Sequence, residues 1–261
     1  MSQAFGLIVA AGAIEDYSVH RAMLADLPAP RRVYCADGGL KHMERLGLAP
    51  DMILGDFDSA DTARLVFLRV QGLPFERYPA DKDYTDTELA VNRAVSDGCA
   101  AILIFGALGA RIDHTFTNIQ LMYKLALRGV RVLLADQYGI AAVLVSGGVM
   151  KISKNRPLAS LLGSLTYKPA ASAFASAAAA ATASAPASER IFASPKLSIL
   201  PIGGVAKGVW TSGLKYALRG DDLESCYTIG VSNEFTGRSA AVKIAEGAVL
   251  VMICADKQES V

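Results

Sequence analysis

The stretch ILGDFDSAD, residues 53–61, sets Asp56, Asp58 and Asp61 directly behind a short apolar run. The pattern repeats: CADGG (35–39), LGDFDS (54–59), YPADKDYTDTE (78–88) and FGALGARIDH (105–114) each close an apolar run with acids and, in three of the four, glycines. Between them they carry Asp37, Asp56, Asp58, Asp81, Asp83, Asp86 and Asp113. That many carboxylates brought to one edge repel one another, and without compensation some would take up protons. A divalent cation removes the repulsion. A donor set of hard oxygens with nothing softer points to Mg²⁺, which takes one or two carboxylates directly and leaves its other positions to water and substrate phosphates. Gly38, Gly39, Gly106 and Gly109 supply the complementary half, because glycine lets backbone N–H groups approach an anion near helix N-termini. Lys82 and Arg111 add cations. The chemistry indicated is the handling of a phosphate ester with Mg²⁺.

Simpler readings exist for single residues. Asp37, Asp61 and Asp113 each fit a helix N-cap, Thr85 with Glu88 fits a capping box, and Gly38–Gly39 fits a turn. Caps do not account for two acids in GDFDS and three in DKDYTD. The chain contains neither a Walker A pattern nor GxGxxG, which argues against a P-loop NTPase or a standard dinucleotide site. No serine sits in a GxSxG elbow and no cysteine is flanked by basic groups, so covalent catalysis is not expected. His114 follows Asp113 at a helix start and is a candidate base, whereas His20 and His42 lie on helix faces with no partner visible in the sequence.

Positioning these groups requires a parallel sheet. Up to residue 146, continuous apolar runs at 5–11, 32–36, 51–54, 73–78, 100–106 and 130–135 alternate with stretches of helical period near 18–26, 38–46, 60–70, 85–97 and 113–128. Unalternating apolar strands separated by helices predict a doubly wound, mostly parallel α/β domain with both sheet faces covered, whose ligands collect beyond the strands' carboxyl ends. After the VSGG joint at 145–148, short β-branched pieces at 149–153, 160–167, 197–202, 207–211, 214–218, 226–231, 239–245 and 248–254 predict a C-terminal antiparallel β-sandwich. The expected division is 1–146 and 147–261. A low-complexity Ala/Ser insertion at about 169–190 has no large apolar face, cannot offset its ordering entropy, and is expected to be a disordered surface insertion without function.

Composition narrows the partners. Lys+Arg 26 against Asp+Glu 25 gives no basic surplus for nucleic acid or an acidic membrane. Cys35, Cys99, Cys226 and Cys254 stand far apart, form no zinc pattern, and read as small buried hydrophobes in a reducing cytoplasm. The opening MSQAFGLIVAAGAIEDY lacks a basic leader, is too short to span a bilayer, and meets acids at Glu15 and Asp16, so it reads as a first buried strand.

Taken in order, ADGG, GDFDS, KDYTDTELA, GALGARIDH, TSGLKYAL and GVSNEF resemble thiamine pyrophosphokinases (thiamine diphosphokinases) of the bacterial type. The resemblance implies an α/β nucleotide domain followed by a β-sandwich, and a homodimer with thiamine at the interface. It also implies a transferase that moves the β,γ-pyrophosphoryl group of ATP to the thiamine hydroxyl with Mg²⁺, giving thiamine diphosphate and AMP. On that likeness Asp56, Asp58 and Asp86 hold the metal, and Asp37, Asp81 and Asp113 complete the site. A poorly nucleophilic alcohol also needs a carboxylate to orient it and accept its proton, and Asp86 and Asp113 are the candidates. Gly38, Gly39, Lys82, Gly109 and Arg111 face nucleotide phosphates. Ser232 and Asn233 line the thiamine pocket with Tyr216, which stands where animal members place a stacking tryptophan; Trp210 lies six residues earlier. Ala110 replaces the second glycine of a GGR pattern, at a strain cost of about 1 kcal/mol if a positive φ is required there. Two other readings stay open. One is a pyrophosphokinase for another alcohol such as a hydroxymethylpterin, against which GLKY and SN argue; the other is a non-catalytic nucleotide or thiamine sensor.

Overall fold

The computed structural model describes residues 4–27, 31–56, 72–79, 81, 83–109, 111–164, 192 and 194–255. The helix expected at 60–70, the insertion at 169–190, and Asp58, Asp61, Lys82 and Ala110 lie outside these residues.

Fourteen strands and five α-helices are described. Strands β1 (Ala4–Val9), β2 (Arg31–Ala36), β3 (Met52–Gly55), β4 (Phe75–Arg77), β5 (Cys99–Phe105) and β6 (Arg131–Ala135) form a parallel array in the order β4-β3-β2-β1-β5-β6. Helices α1 (Tyr17–Ala25) and α2 (Leu40–Leu46) join its first strands, α3 (Asp86–Ser96) precedes β5, and α4 (Ile112–Ala126) precedes β6. Asp16 caps α1 by accepting the Ser18 and Val19 N–H groups, and Thr85 caps α3 by accepting the Glu88 N–H, as its capping-box pattern predicts.

Alternation along each central strand divides the core into two layers. Leu7, Val9, Leu103, Phe105 and Leu133 join Met23 of α1 and Met43 of α2 on one face, while Ile8, Ile102, Ile104 and Leu134 join Val91 of α3 and Met122 of α4 on the other. Because nearly every position of the inner strands β1, β5 and β6 is buried, the sequence shows unbroken apolar runs there, and the doubly wound reading follows; edge strand β4 is mostly exposed.

The same sheet then continues antiparallel. Strand β7 (Gly139–Val145) turns back beside β6, and β14 (Ala248–Cys254), β9 (Lys196–Pro201) and β12 (Asn233–Glu234) extend it to ten strands. Only residues 136–138 separate β6 from β7, too few for a crossover helix. Asp136 closes that turn by accepting the Tyr138 and Gly139 N–H groups at 2.8 and 2.9 Å. A second antiparallel sheet, β11 (Arg219–Leu223), β10 (Ala206–Ser212), β13 (Ser239–Lys243) and β8 (Val149–Ser153), covers the face that also carries α1 and α2, sharing one core through Ile152, Val209, Val242, Val251 and Ile253. The α/β array followed by antiparallel sheet agrees with the expected fold class.

Three element assignments differ. The run expected as a strand at 160–167 falls in helix α5 (Pro157–Ser164), opened by Pro157, which suits a first helical position. Residues 214–218 and 226–231 are turns, apart from one isolated bridge between Leu214 and Phe235. Strands β7, β11 and β12 were not among those expected. Cysteine burial is mixed: Cys35 and Cys99 are buried, whereas Cys226 is exposed. Among the described residues no helix is long and apolar enough to cross a membrane.

Two histidines sit inside this core. His20 donates Nδ1–H to the Asp16 carbonyl at 2.7 Å and packs edge-on against Phe105, and His42 is a buried residue of α2. Burial is the main cause that holds both imidazoles below their ordinary pKa. An unfolded imidazole titrates near 6.5, so below that pH the unfolded chain binds protons the folded one refuses. Stability is therefore full above about pH 6.5 and falls as pH drops, by up to about 1.4 kcal/mol per pH unit for each histidine. Asp136, whose carboxyl burial raises, acts in the opposite sense nearer the carboxylate range. Urea unfolding at pH 7.5 and 5.5 is expected to show a loss of about 1–3 kcal/mol at the lower pH; equal midpoints and slopes at the two values would contradict the neutral-histidine assignment.

Candidate functional site

Strand β1 lies between β2 and β5, and the chain leaves it in one direction through β2–β4 before returning on the other side with β5. The loops after β1 and β5 consequently diverge, opening the crevice in which open α/β sheets bind ligands. A cleft of about 360 Å³ occupies this place. Its walls are the backbone of Ala10–Ala13 and of Gly106–Gly109, and its rim carries Asp86, Thr87, Arg111 and His114.

Close backbone approach builds the walls. The Ala10 N–H donates to the Phe105 carbonyl at 2.8 Å and the Gly12 N–H to the Gly106 carbonyl at 2.9 Å. A Cβ on Gly12 would lie 2.3 Å from the Gly106 oxygen, and one on Gly106, whose φ is +68°, would lie 2.5 Å from the Ala10 oxygen. Both positions are therefore closed to any side chain. From the floor, Asn118 donates to the Ala107 carbonyl at 2.7 Å and holds the second loop down onto α4.

The expected site residues distribute as follows. Asp37 directly follows β2 with φ +35°, a strained conformation for a residue with a side chain, and is 9% exposed. A Cβ on Gly55 would meet the Asp37 Cβ at 2.7 Å, so the residue before Asp56 is glycine because Asp37 lies against it. Asp37 and the start of the GDFDS segment are thus neighbours at the carboxyl ends of β2 and β3. Gly38 and Gly39 form a short 3₁₀ turn into α2, packed so tightly on the end of β1 that a Cβ on Gly39 would lie 2.1 Å from the Val9 oxygen. Asp56 follows β3 directly and is partly buried. Asp86 is the first residue of α3 and lines the cleft, with Ala36 opposite. Gly109, at φ +136°, and Arg111 line it from the other side. Asp81 is exposed.

Asp113 is turned outward. Arg111 grips it through Nε and Nη2, at 3.2 and 2.6 Å, and the His114 N–H caps it at 2.9 Å. The Arg111 guanidinium, with that N–H, holds the Asp113 carboxyl below the ordinary aspartate range. Among the described residues no three His, Cys, Asp or Glu side chains converge as a metal would require. Asp58, the second carboxylate of GDFDS, lies outside them.

A second pocket, of about 370 Å³, is formed by Tyr216, Leu218, Ile229, Val231 and Asn233. Asn233 is buried, and its amide is consumed locally: Oδ1 accepts the Tyr216 N–H at 3.0 Å and Nδ2 donates to the Tyr216 carbonyl at 2.7 Å. Ser232 occupies the left-handed region at φ +58°, and its N–H donates to Ser198 Oγ at 3.0 Å. Tyr216 is 62% exposed, and Ile229 and Val231 beside it are also exposed. Lys215 Nζ stands 5.3 Å from the Tyr216 ring centroid and is tied to Glu234 at 3.3 Å. Trp210 is elsewhere, on β10, with its ring against Gly220.

Sequence reasoning missed the wall at Ala10–Ala13, because a loop of alanines and one glycine presents no reactive side chain; the only signal was a glycine at the end of a parallel strand. It also missed partners for His42, whose Nε2–H donates to the Gly12 carbonyl at 2.8 Å.

Comparison with known proteins adds an independent line. Residues 29–134 match the family description "Thiamin pyrophosphokinase, catalytic domain", and residues 188–249 match "Thiamin pyrophosphokinase, vitamin B1 binding domain". A thiamine pyrophosphokinase of Bacillus subtilis is 34% identical over 101 residues, a stretch of 39% of this chain that spans 47%, about half, of that relative. The fold is similar to the crystal structure of thiamine pyrophosphokinase from B. subtilis (TM-score 0.73, 19% identity, 97% of this chain and 100% of that one). It is also similar to those from Geobacillus thermodenitrificans (0.70, 21%, 98% and 99%) and Candida albicans (0.69, 20%, 97% and 90%). Matched by two domain descriptions of one family, which together span residues 29–134 and 188–249, the chain belongs to the thiamin pyrophosphokinase family.

Proposed function

We propose that the chain is an ATP-dependent thiamine pyrophosphokinase. The observation that carries the reading is one chain holding a switch-point cleft rimmed by Asp86 and Arg111 together with a Tyr216–Asn233 pocket in its second half. Neither alternative gains a specific observation. Residues 1–146 act on the nucleotide; residues 147–261 bind thiamine and supply the contact between two copies, for which the exposed Tyr216, Ile229 and Val231 are the apolar surface. The free cysteines suit a cytoplasmic enzyme.

Transfer asks the protein for in-line positioning and for neutralisation of charge on the oxygens in flight. The thiamine hydroxyl oxygen forms a bond to the β-phosphorus of ATP while the bond from that phosphorus to the α,β-bridging oxygen breaks; AMP leaves and the hydroxyl loses its proton. Asp86 is the better acceptor for that proton, since it lines the cleft, whereas Asp113 is turned outward and occupied by Arg111. Backbone N–H groups of the glycine-rich walls, with Arg111, face the triphosphate. The carboxylate chemistry of Asp56, Asp58 and Asp86 fits Mg²⁺, which when bound neutralises the phosphate oxygens. The Tyr216 face suits the cationic thiazolium ring.

Purified protein with ATP, Mg²⁺ and thiamine is expected to release AMP and thiamine diphosphate in equal amounts, with no product in EDTA or with a pterin alcohol in place of thiamine. Asp56→Asn and Asp58→Asn should each lower kcat by about 100-fold or more with circular dichroism unchanged, because an amide holds Mg²⁺ poorly. Full activity in both variants would remove the metal assignment. Tyr216→Ala should raise the KM for thiamine by about tenfold with a smaller change in kcat, as loss of uniform binding requires; an unaltered KM would take Tyr216 out of the pocket.

A further inference from the structure

His42 and Tyr17 are buried, belong to different helices, and are not part of either pocket's lining. They are nevertheless wired to the cleft. A carbonyl can only accept, so the 2.8 Å contact between His42 Nε2 and the Gly12 oxygen places the ring proton on Nε2. Nδ1 then carries a lone pair and accepts the Tyr17 hydroxyl at 2.6 Å. Tyr17 is itself held, since the Arg45 guanidinium lies 4.1 Å from its ring centroid. The chain of donors runs Tyr17 O–H to His42 and His42 N–H to Gly12, and it fixes the imidazole tautomer.

The peptide it grips is the wall of the cleft. In a trans peptide the carbonyl and the following N–H point in opposite directions, so holding the Gly12 oxygen toward His42 turns the Ala13 N–H away from the buried ring. Gly12 and Ala13 both line the cleft, the Gly12 N–H is already committed to Gly106, and among the described residues no hydrogen bond uses the Ala13 N–H. We infer that His42, set by Tyr17, is a positioning residue for the nucleotide: it locks the Gly12–Ala13 peptide so that its N–H is presented to a phosphate oxygen of the bound nucleotide. The inference rests on the cleft being the ATP site.

The test is calorimetric binding of ATP, run beside steady-state kinetics and thermal unfolding on the wild-type protein and four variants. His42→Leu removes the donor and should weaken ATP binding and raise the KM for ATP about tenfold, as expected for one lost hydrogen bond to a charged group, with the KM for thiamine unchanged. His42→Gln keeps an N–H at the Nε2 position and should recover ATP affinity to within about threefold, although both variants lose the Tyr17 acceptor and shift Tm alike. Tyr17→Phe frees the tautomer and should weaken ATP about threefold, with no added effect in the His42→Leu background. ATP affinity that follows Tm across the set, or is equal in the Leu and Gln variants, overturns the inference. If His42→Leu does not fold, an undiminished ATP affinity in Tyr17→Phe overturns it. Failure of the wild-type protein to bind ATP overturns the reading beneath it as well.

Discussion

Everything at the cleft depends on two backbones touching. The loops leaving β1 and β5 are zipped by the Gly12–Gly106 and Ala10–Phe105 hydrogen bonds, at a separation that leaves no room for a Cβ on either glycine. Gly39, pressed on the Val9 carbonyl, brings the loop after β2 into the same contact. Side chains at these points would wedge the strands' ends apart and fill the crevice. With glycine, the crevice is lined by peptide groups, whose N–H donors suit phosphate and cannot shift as a long side chain can. Asp86 stands on the rim of this peptide-lined crevice, and Asp37 holds a strained backbone conformation against Gly55 at the neighbouring strand ends.

Much of this was legible in the chain. Burial of both faces forces unbroken apolar runs in the inner parallel strands, so these and the order of acids behind them could be read directly, whereas edge strand β4, FER, is mostly exposed. The antiparallel part was harder. Strand β7 is as apolar as β5, but its brief separation from β6 hides it within one hydrophobic region, and the LASLLGS segment of α5 is short enough to read either way. Strands β11 and β12 are polar or only two residues long, leaving no period to detect.

At the site, residue type told more than position. Acids advertise metal and phosphate, and Asp86 does line the cleft. No pattern of types reveals that Asp113 is claimed by Arg111, that the Asn233 amide is spent on the Tyr216 backbone, or that His42 reaches a carbonyl thirty residues away. Those are outcomes of packing. They divide the expected site into groups that line the cleft and groups that are occupied in holding other parts of the chain.

The order in which the sheet is made differs from the order in which it is arranged. Strand β14, the last of the described strands to be synthesised, takes an interior place between β7 and β9. Until residues 248–254 leave the ribosome, the long apolar flank of β7 has no neighbour and offers its unpaired amides to any passing strand. Nascent chains stalled short of that point would therefore be the form of this protein most in need of a chaperone.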